Sequence, residues 1–252
     1  MDIAGARVLI TGGARGLGRV FTLDLAAAGA RVGACDLDGA GLAELPGEAA
    51  KRGVTVWTRE ADVSDEASVE ALLAGFTAEM GGIDAIVNNA GLNRDGLLIK
   101  KSGDEFVKLP LSSWQTVIDV DLTGVFLCAR EAAYHMAKQG TGGVIVNISS
   151  LSWMGNAGQT NYSAAKAGIV AMTRTWGMEL PRYGIRTVAI APGITATEMA
   201  EAMPEEARER LTSAVPLRRM AQPGEISLAV RFALENDYLN GRVIPVDGGL
   251  RL

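Results

Sequence analysis

Seven short apolar runs recur along the chain, each followed by a longer segment with helical spacing, and this alternation limits the fold more than any other feature. The runs are Val8-Leu9-Ile10, Ala30 to Cys35, Val54 to Trp57, Ile83 to Val87, Val144 to Ile148, Ile185 to Ile190 and Arg242 to Val246. They are continuous rather than alternating, as strands buried on both faces must be. Between them, Leu17, Val20, Phe21 and Leu25 keep helical spacing, as do Val69, Leu72, Leu73, Phe76 and Met80. Strand, helix, strand in repeated order gives parallel crossover units, which are right-handed, and a doubly wound α/β sheet. Pro245 lacks a backbone N–H, so the last run is expected at a sheet edge.

No linker, internal repeat or low-complexity tract interrupts the pattern. The expectation is one domain over 1–252, with a helical excursion at about 195–222 between the sixth and seventh strands. The acidic patch at Glu205, Glu206 and Glu209 reads as a solvated helix face starting after Pro204. The formal net charge of −5 argues against a nucleic-acid partner and against a polybasic membrane anchor. The longest charge-free stretch, Gly140 to Ala165, carries glycines, asparagines and serines throughout, unlike a lipid-facing helix. Asp2 and an early strand pattern stand where a secretory signal would open. The 2 cysteines, Cys35 and Cys128, are too few for a disulfide framework and read as small buried residues in a reducing cytoplasm.

The chemistry is expected at the carboxyl ends of the strands, where open α/β sheets bind ligands. The first run ends in Thr11-Gly-Gly-Ala-Arg-Gly-Leu-Gly18. Such a turn lets backbone N–H groups approach a pyrophosphate, and the following helix adds its positive end. The spacing is Gly12-x-x-x-Gly16-x-Gly18, so the turn alone is a weak signal; a tight structural turn gives the same pattern. Asp36 closes the second run. An acidic residue there can bind an adenosine ribose hydroxyl and repel a 2′-phosphate, or be a plain turn residue. Asp62-Val63 and Asn88-Asn89-Ala90-Gly91 follow the third and fourth runs.

The fifth run ends in Ser149-Ser150, and Tyr162-Ser-Ala-Ala-Lys166 follows. Tyr162 and Lys166 share one helix face, a turn apart. A lysine cation there favours phenolate, which makes the tyrosine a candidate acid/base, and a nearby serine can hydrogen-bond a carbonyl oxygen. In isolation a Tyr-x-x-x-Lys pair is mostly structural. His135, the 1 histidine, reads as a packing or interface residue, which leaves a Ser-His-Asp hydrolase or a catalytic zinc site without support. Trp153 and Met154 are candidate substrate-pocket residues.

Taken together, the turn at 11–18, Asp36, Asp62-Val63, the Asn-Asn-Ala-Gly at 88–91, Ser149-Ser150, Tyr162 to Lys166 and Pro192-Gly193 resemble the short-chain dehydrogenase/reductase family over essentially the whole length. The resemblance implies a seven-stranded Rossmann-like parallel sheet with helices on both faces, and a nicotinamide cofactor. It makes Tyr162 the acid/base, Lys166 the ribose ligand and the serine the group that positions the carbonyl. Cofactor contacts are then expected from Gly12, Arg15, Gly16, Leu17, Gly18, Asp36, Asp62, Val63, Asn89, Ala90, Gly91, Tyr162, Lys166, Pro192 and Gly193, with Ile194 and Thr197 at the carboxamide. A homotetramer is implied, with helices at about 115–138 and 162–180 pairing between subunits.

Two positions depart from the family. Asp121 stands where the family carries an Asn whose backbone carbonyl holds a relay water, so an Asp is expected to be tolerated there. The family's serine offset, counted back from Tyr162, lands on Ser149; counted forward along the strand from Gly143, the position is Ser150. Strand neighbours face opposite ways and strand register resists slipping, which favours Ser150. Within the family, the segments 88–98, 155–168 and 246–249 are most similar to 3-oxoacyl-acyl-carrier-protein reductases, of fatty acid biosynthesis. The stretch Lys100 to Ser113 is longer than usual there and is expected to form a β-hairpin or an extra turn.

The expected activity is hydride transfer between a nicotinamide and a ketone or secondary alcohol, with a 3-oxoacyl thioester as substrate. The alternatives are a dehydrogenase of a small polyol, sugar or hydroxy acid, an epimerase or dehydratase on the same fold, and a cofactor-binding regulator without turnover. Asp36 favours NAD, whereas Arg15 is a residue type that accompanies NADP.

Overall fold

The structure, a computed structural model, describes residues 1–196 and 205–251; Thr197 lies outside them. Nine strands are present among the described residues: β1 (Arg7–Thr11), β2 (Arg31–Asp36), β3 (Val56–Glu60), β4 (Ala85–Asn88), β5 (Ile99–Ser102), β6 (Glu105–Lys108), β7 (Gly143–Ile148), β8 (Ile185–Pro192) and β9 (Arg242–Val246). The helices are α1 (Gly16–Ala27), α2 (Gly39–Lys51), α3 (Glu66–Met80), α4 (Leu111–Ile118), α5 (Gly124–Gln139), α6 (Thr160–Glu179), α7 (Glu205–Ala214) and α8 (Pro223–Glu235).

Seven strands form one parallel sheet in the order β3-β2-β1-β4-β7-β8-β9. The chain reverses its direction of travel across the sheet between β1 and β4, which makes this boundary the ligand-binding switch point of a Rossmann-like fold. The runs are continuous because both faces are covered. Val8, Ile10, Val32 and Ala34 pack on the side of α1, α2 and α8. Leu9, Cys35, Ile86 and Ile145 pack on the side of α3 and α5, against Leu72, Phe76 and Met136. Pro245 lies in β9, which is an edge strand as expected.

Two strands start later than the sequence expectation by two residues, β3 at Val56 and β4 at Ala85. The third run was expected at Val54 to Trp57, but Val54 is used in closing the α2 turn, donating its N–H to the Ala49 carbonyl. β3 instead runs on through Thr58, Arg59 and Glu60, whose polarity an edge strand tolerates. The fourth begins at Ala85, after Asp84, whose carboxylate is held by Arg7. The long stretch before α4 contains a hairpin, β5 paired antiparallel with β6, whose strand residues are all exposed.

Local chemistry fixes the helix ends. Asp65 caps α3 by accepting from the Ser68 N–H, and Gln222 with Glu225 forms a reciprocal capping box ahead of α8, with Pro223 at its first position. Between α4 and α5 the helix widens into a π-helical segment, Asp119–Thr123. Such widenings are concentrated at functional sites, and this one carries Asp121.

Candidate active site

The carboxyl ends of β1, β2, β4 and β7 converge on one edge. The turn after β1 is stapled to the turn after β4. Thr11 Oγ1 accepts from the N–H groups of Asn89 (3.0 Å) and Ala90 (3.1 Å), and Asn89 Nδ2 donates to the carbonyls of Thr11 (3.1 Å) and Gly12 (3.0 Å). Only glycine fits at position 18: a Cβ there would stand 2.0 Å from the Gly12 carbonyl oxygen. The amino end of α1 is therefore pressed onto the turn, with its free N–H groups and positive dipole end facing the edge. Gly16, beside it, takes φ +55° in open space, which keeps the turn unobstructed.

A cleft of about 360 Å³ runs along this edge. It is lined by Gly12, Arg15, Leu17, Asp36, Asp62, Val63, Asn89, Ala90 and Gly91, together with Leu37, Ala61, Leu92 and Val120. Nine expected contact residues thus meet in one groove. Asp36 is oriented by backbone donors, accepting from Ala14 N–H at 3.0 Å and Asp38 N–H at 3.1 Å. Asp62 accepts from the Ser64 N–H (2.8 Å) and hydroxyl (2.6 Å). Arg15 caps α1 through its backbone only. An elongated groove with a glycine cradle at one end and a carboxylate beside the second strand fits a dinucleotide.

Next to the groove, the two serines at the end of β7 face opposite ways. Ser149 is buried and donates its hydroxyl to the Lys166 carbonyl at 3.1 Å. Ser150 is half-buried, and its oxygen accepts from the Ser152 N–H at 3.2 Å as the chain enters a 3-10 turn, Leu151–Met154. Tyr162 and Lys166 lie in the first turns of α6, with the Lys166 ammonium 5.2 Å from the Tyr162 ring centre.

The start of α6 is held by residues that the sequence reading missed. Asn161, fully buried, accepts from the Tyr162 N–H at 2.9 Å and donates to the carbonyls of Arg94 and Ser113, each at 3.0 Å. Gln159 reaches Asp95 at 3.1 Å. The signal available in sequence was a polar side chain directly beside the candidate tyrosine.

Lys166 donates to the Ile148 carbonyl at 3.2 Å, and its ammonium stands 3.1 Å from Asp121 Oδ2. That second approach is an ion pair too oblique to be a hydrogen bond, and Oδ2 has no hydrogen-bond donor among the described residues. The other carboxylate oxygen accepts from the Leu92 N–H at 2.8 Å. Burial pulls the lysine pKa down, but Tyr162 and Asp121 outweigh it and hold the value above the ordinary lysine range. The Asp121 side chain points inward, between Lys166 and Leu92. Of the ammonium donors of Lys166 only the one to the Ile148 carbonyl is spent on the protein, among the described residues; the Asp121 carboxylate lies beside the charge without accepting one.

Pro192 ends β8, and Gly193 donates to the Val246 carbonyl at 2.9 Å, fixing the turn. Ile194 packs with Leu151, Val215 and Leu250. Trp153 and Met154 line a separate cleft of about 690 Å³ against Arg174, Arg242 and Val243, a cleft that none of Ser150, Tyr162 and Lys166 lines. His135 sits on α5 with its ring edge against Tyr134, outside the site. Among the described residues no helix is long and apolar enough to cross a membrane, and no cluster of metal-ligating side chains occurs.

Known proteins are similar to this chain in sequence and fold. Residues 12–251 match the family described as enoyl-(acyl carrier protein) reductase. A 3-oxoacyl-[acyl-carrier-protein] reductase of Thermotoga maritima is 40% identical over 99% of both chains. A (3R)-3-hydroxyacyl-CoA dehydrogenase of Mus musculus is 37% identical over 99% of this chain and 98% of that one. The crystal structure of levodione reductase superposes with a TM-score of 0.88 at 36% identity, covering 98% of this chain and 97% of that one. The chain belongs to the short-chain dehydrogenase/reductase family and is an NAD(P)-dependent oxidoreductase of ketones and secondary alcohols.

Proposed function

We propose that the protein reduces 3-oxoacyl thioesters to the 3-hydroxy compounds, with NADH as the preferred donor. The observation that carries the reading is Tyr162 beside a buried, ion-paired Lys166, with Gly91 of the groove lining packed against that pair and Ser150 just past the end of β7, whose last carbonyl Lys166 bonds. The relatives named for 3-oxoacyl and 3-hydroxyacyl substrates support the substrate class.

The site residues then divide the work. The Gly12–Gly18 turn and the amino end of α1 bind the pyrophosphate, with Arg15 and Leu17 along the same wall. Asp36 takes an adenosine ribose hydroxyl, and Asp62, Val63, Asn89, Ala90 and Gly91 line the path to the nicotinamide. Pro192, Gly193, Ile194 and Thr197 hold the carboxamide, and a free donor of Lys166 takes the second ribose. When bound, the nicotinamide supplies the hydride. Ser150 holds the carbonyl oxygen, and Tyr162 gives it a proton, which Lys166 and a water chain replace.

NAD is favoured because the Asp36 carboxylate is fixed by two backbone donors at the point where a 2′-phosphate would lie. A second reading, an NAD-dependent dehydrogenase of a small polyol or hydroxy acid, draws on the same Asp36. Steady-state rates with both cofactors against acyl-thioester, simple ketone and polyol panels separate the two. The proposal fails if polyols turn over and acyl thioesters do not.

The assembly proposed is a homotetramer. It is supported by an apolar groove of about 420 Å³ on the outer face of α5 and α6, where Phe126, Tyr134, Trp176 and Tyr183 lie together. Free, buried Cys35 and Cys128 suit a reducing compartment, so we place the enzyme in the cytoplasm.

A further inference from the structure

Asp121 is fully buried, and Lys166 is 3% exposed. A buried ion pair is costly to desolvate and is weak evidence of stability, so its retention calls for a role. The pair is built with care. The π-helical segment brings Asp121 to this depth, and Gly91 leaves it room: a Cβ there would lie 2.8 Å from Asp121 Oδ2 and 3.4 Å from Lys166 Nζ. The Leu92 N–H holds Oδ1, leaving Oδ2 turned to the ammonium.

The charges that act on the ammonium are few. Tyr162 acts from α6 itself and Asp121 from the π-helical segment. β7 presents only the Ile148 carbonyl, and Gly91, Leu92 and Ser150 carry no charge; farther along the same loop, Arg94 and Asp95 meet the start of α6 through Asn161 and Gln159. The other carboxylate of the π-helical segment, Asp119, is turned to Gln115 at 2.6 Å.

We infer that Asp121 is a positioning residue that biases the site towards carbonyl reduction. Its carboxylate draws the ammonium into place and cancels part of the positive field that Lys166 casts on Tyr162. The tyrosine is thereby favoured as the neutral phenol. Reduction needs the phenol: hydride reaches the carbonyl carbon, the phenol proton goes to the carbonyl oxygen, and the phenolate left behind is reprotonated through Lys166 and water. Oxidation needs the phenolate, to take the alcohol proton as hydride leaves. A neutral pair beside Tyr162 holds back the second direction near neutral pH. The inference rests on the reading of Tyr162 as the acid/base.

The test is a pH titration of the apoprotein carrying ¹³C-labelled tyrosine, followed by NMR, with Tyr162→Phe used to assign the Tyr162 signal. Wild type is compared with Asp121→Asn, which keeps the acceptor for Leu92 and removes the charge. The inference predicts that the Tyr162 transition moves to lower pH in the variant. With cofactor, the rising limb of alcohol oxidation should move the same way, and the ratio of kcat for reduction to kcat for oxidation at neutral pH should fall. A transition that stays in place or moves to higher pH overturns the inference. So does complete loss of turnover in a folded variant, which would put the side chain in the proton relay itself. Asp121→Ser, smaller and also neutral, decides the matter if the Asn variant does not fold. If no ketone is turned over by any of these proteins, the proposed function fails, while the apoprotein titration still judges the role of Asp121.

Discussion

The hydroxyl of Ser149 donates to the backbone carbonyl of Lys166 at 3.1 Å. One hydrogen bond thus ties the end of β7 to the catalytic helix, and strand alternation turns Ser150 to the opposite side. Ser150→Ala should lower kcat by about 10²–10³-fold, the scale of a lost donor to a developing oxyanion. Ser149→Ala should cost about 1 kcal/mol of stability and leave kcat within roughly tenfold, less than one catalytic donor supplies. Steady-state kinetics and thermal melts of the two variants check this; the reverse pattern would assign the role to Ser149.

Asp36→Ala should shift the ratio of kcat/KM for NADPH to that for NADH by on the order of tenfold or more, equivalent to about 1.4 kcal/mol. On the proposed reading the variant loses the carboxylate that would meet a 2′-phosphate, and it keeps Arg15 in the lining of the same groove. The comparison needs both cofactors with both proteins. A wild type that already prefers NADPH contradicts the assignment of Asp36.

Cys35 and Cys128 are both buried, and burial pushes the Cys128 thiol up to about 12 and the Cys35 thiol well above its usual value. Thiolate, the reactive form, is therefore scarce at pH 8. A disulfide reagent such as Ellman's should label neither thiol in the native enzyme and both after unfolding. Rapid labelling of native protein would show that one of them is accessible.

Arg7 and Asp84 join the amino ends of β1 and β4 through two side-chain contacts, at 2.5 and 2.7 Å. Burial alone would raise the Asp84 carboxyl, but its hydrogen bonds from Arg7 outweigh that and hold it below its ordinary value. A depressed carboxyl stabilises the fold above its unfolded pKa, about 3.9, and loses that contribution as the pH falls through the folded value. Asp84→Asn should therefore be less stable than wild type by about 1–2 kcal/mol at neutral pH, and the gap should narrow below about pH 4. Denaturant unfolding at both pH values measures it. A gap that widens in acid would reverse the sign of the argument.

Strand identity and the position of the sheet-edge groove were legible because burial on both faces and the glycine turn leave local marks at Val8–Ile10 and Gly12–Gly18. The edge position of β9 was legible from Pro245 alone. What could not be read depends on tertiary contact. β3 extends into Thr58–Glu60 because an edge strand pairs on one side only. The inward turn of the Asp121 side chain depends on a π-helical segment that hydropathy does not mark. Asn161 matters through carbonyls of Arg94 and Ser113, far away in sequence. The hairpin at Ile99–Lys108 was foreseen as one of two possibilities, since its wholly exposed strands carry no core face.

The central claim is that Tyr162 moves the proton. Its hydroxyl is the only group that Tyr162→Phe removes, and general acid/base catalysis is worth roughly 10²–10⁴ in rate. The decisive measurement is kcat of this variant for ketone reduction, with NADH binding followed in parallel by fluorescence. The account predicts that turnover falls by at least about 10²-fold while NADH still binds. Retention of more than about a tenth of wild-type activity, well short of that loss, would contradict it.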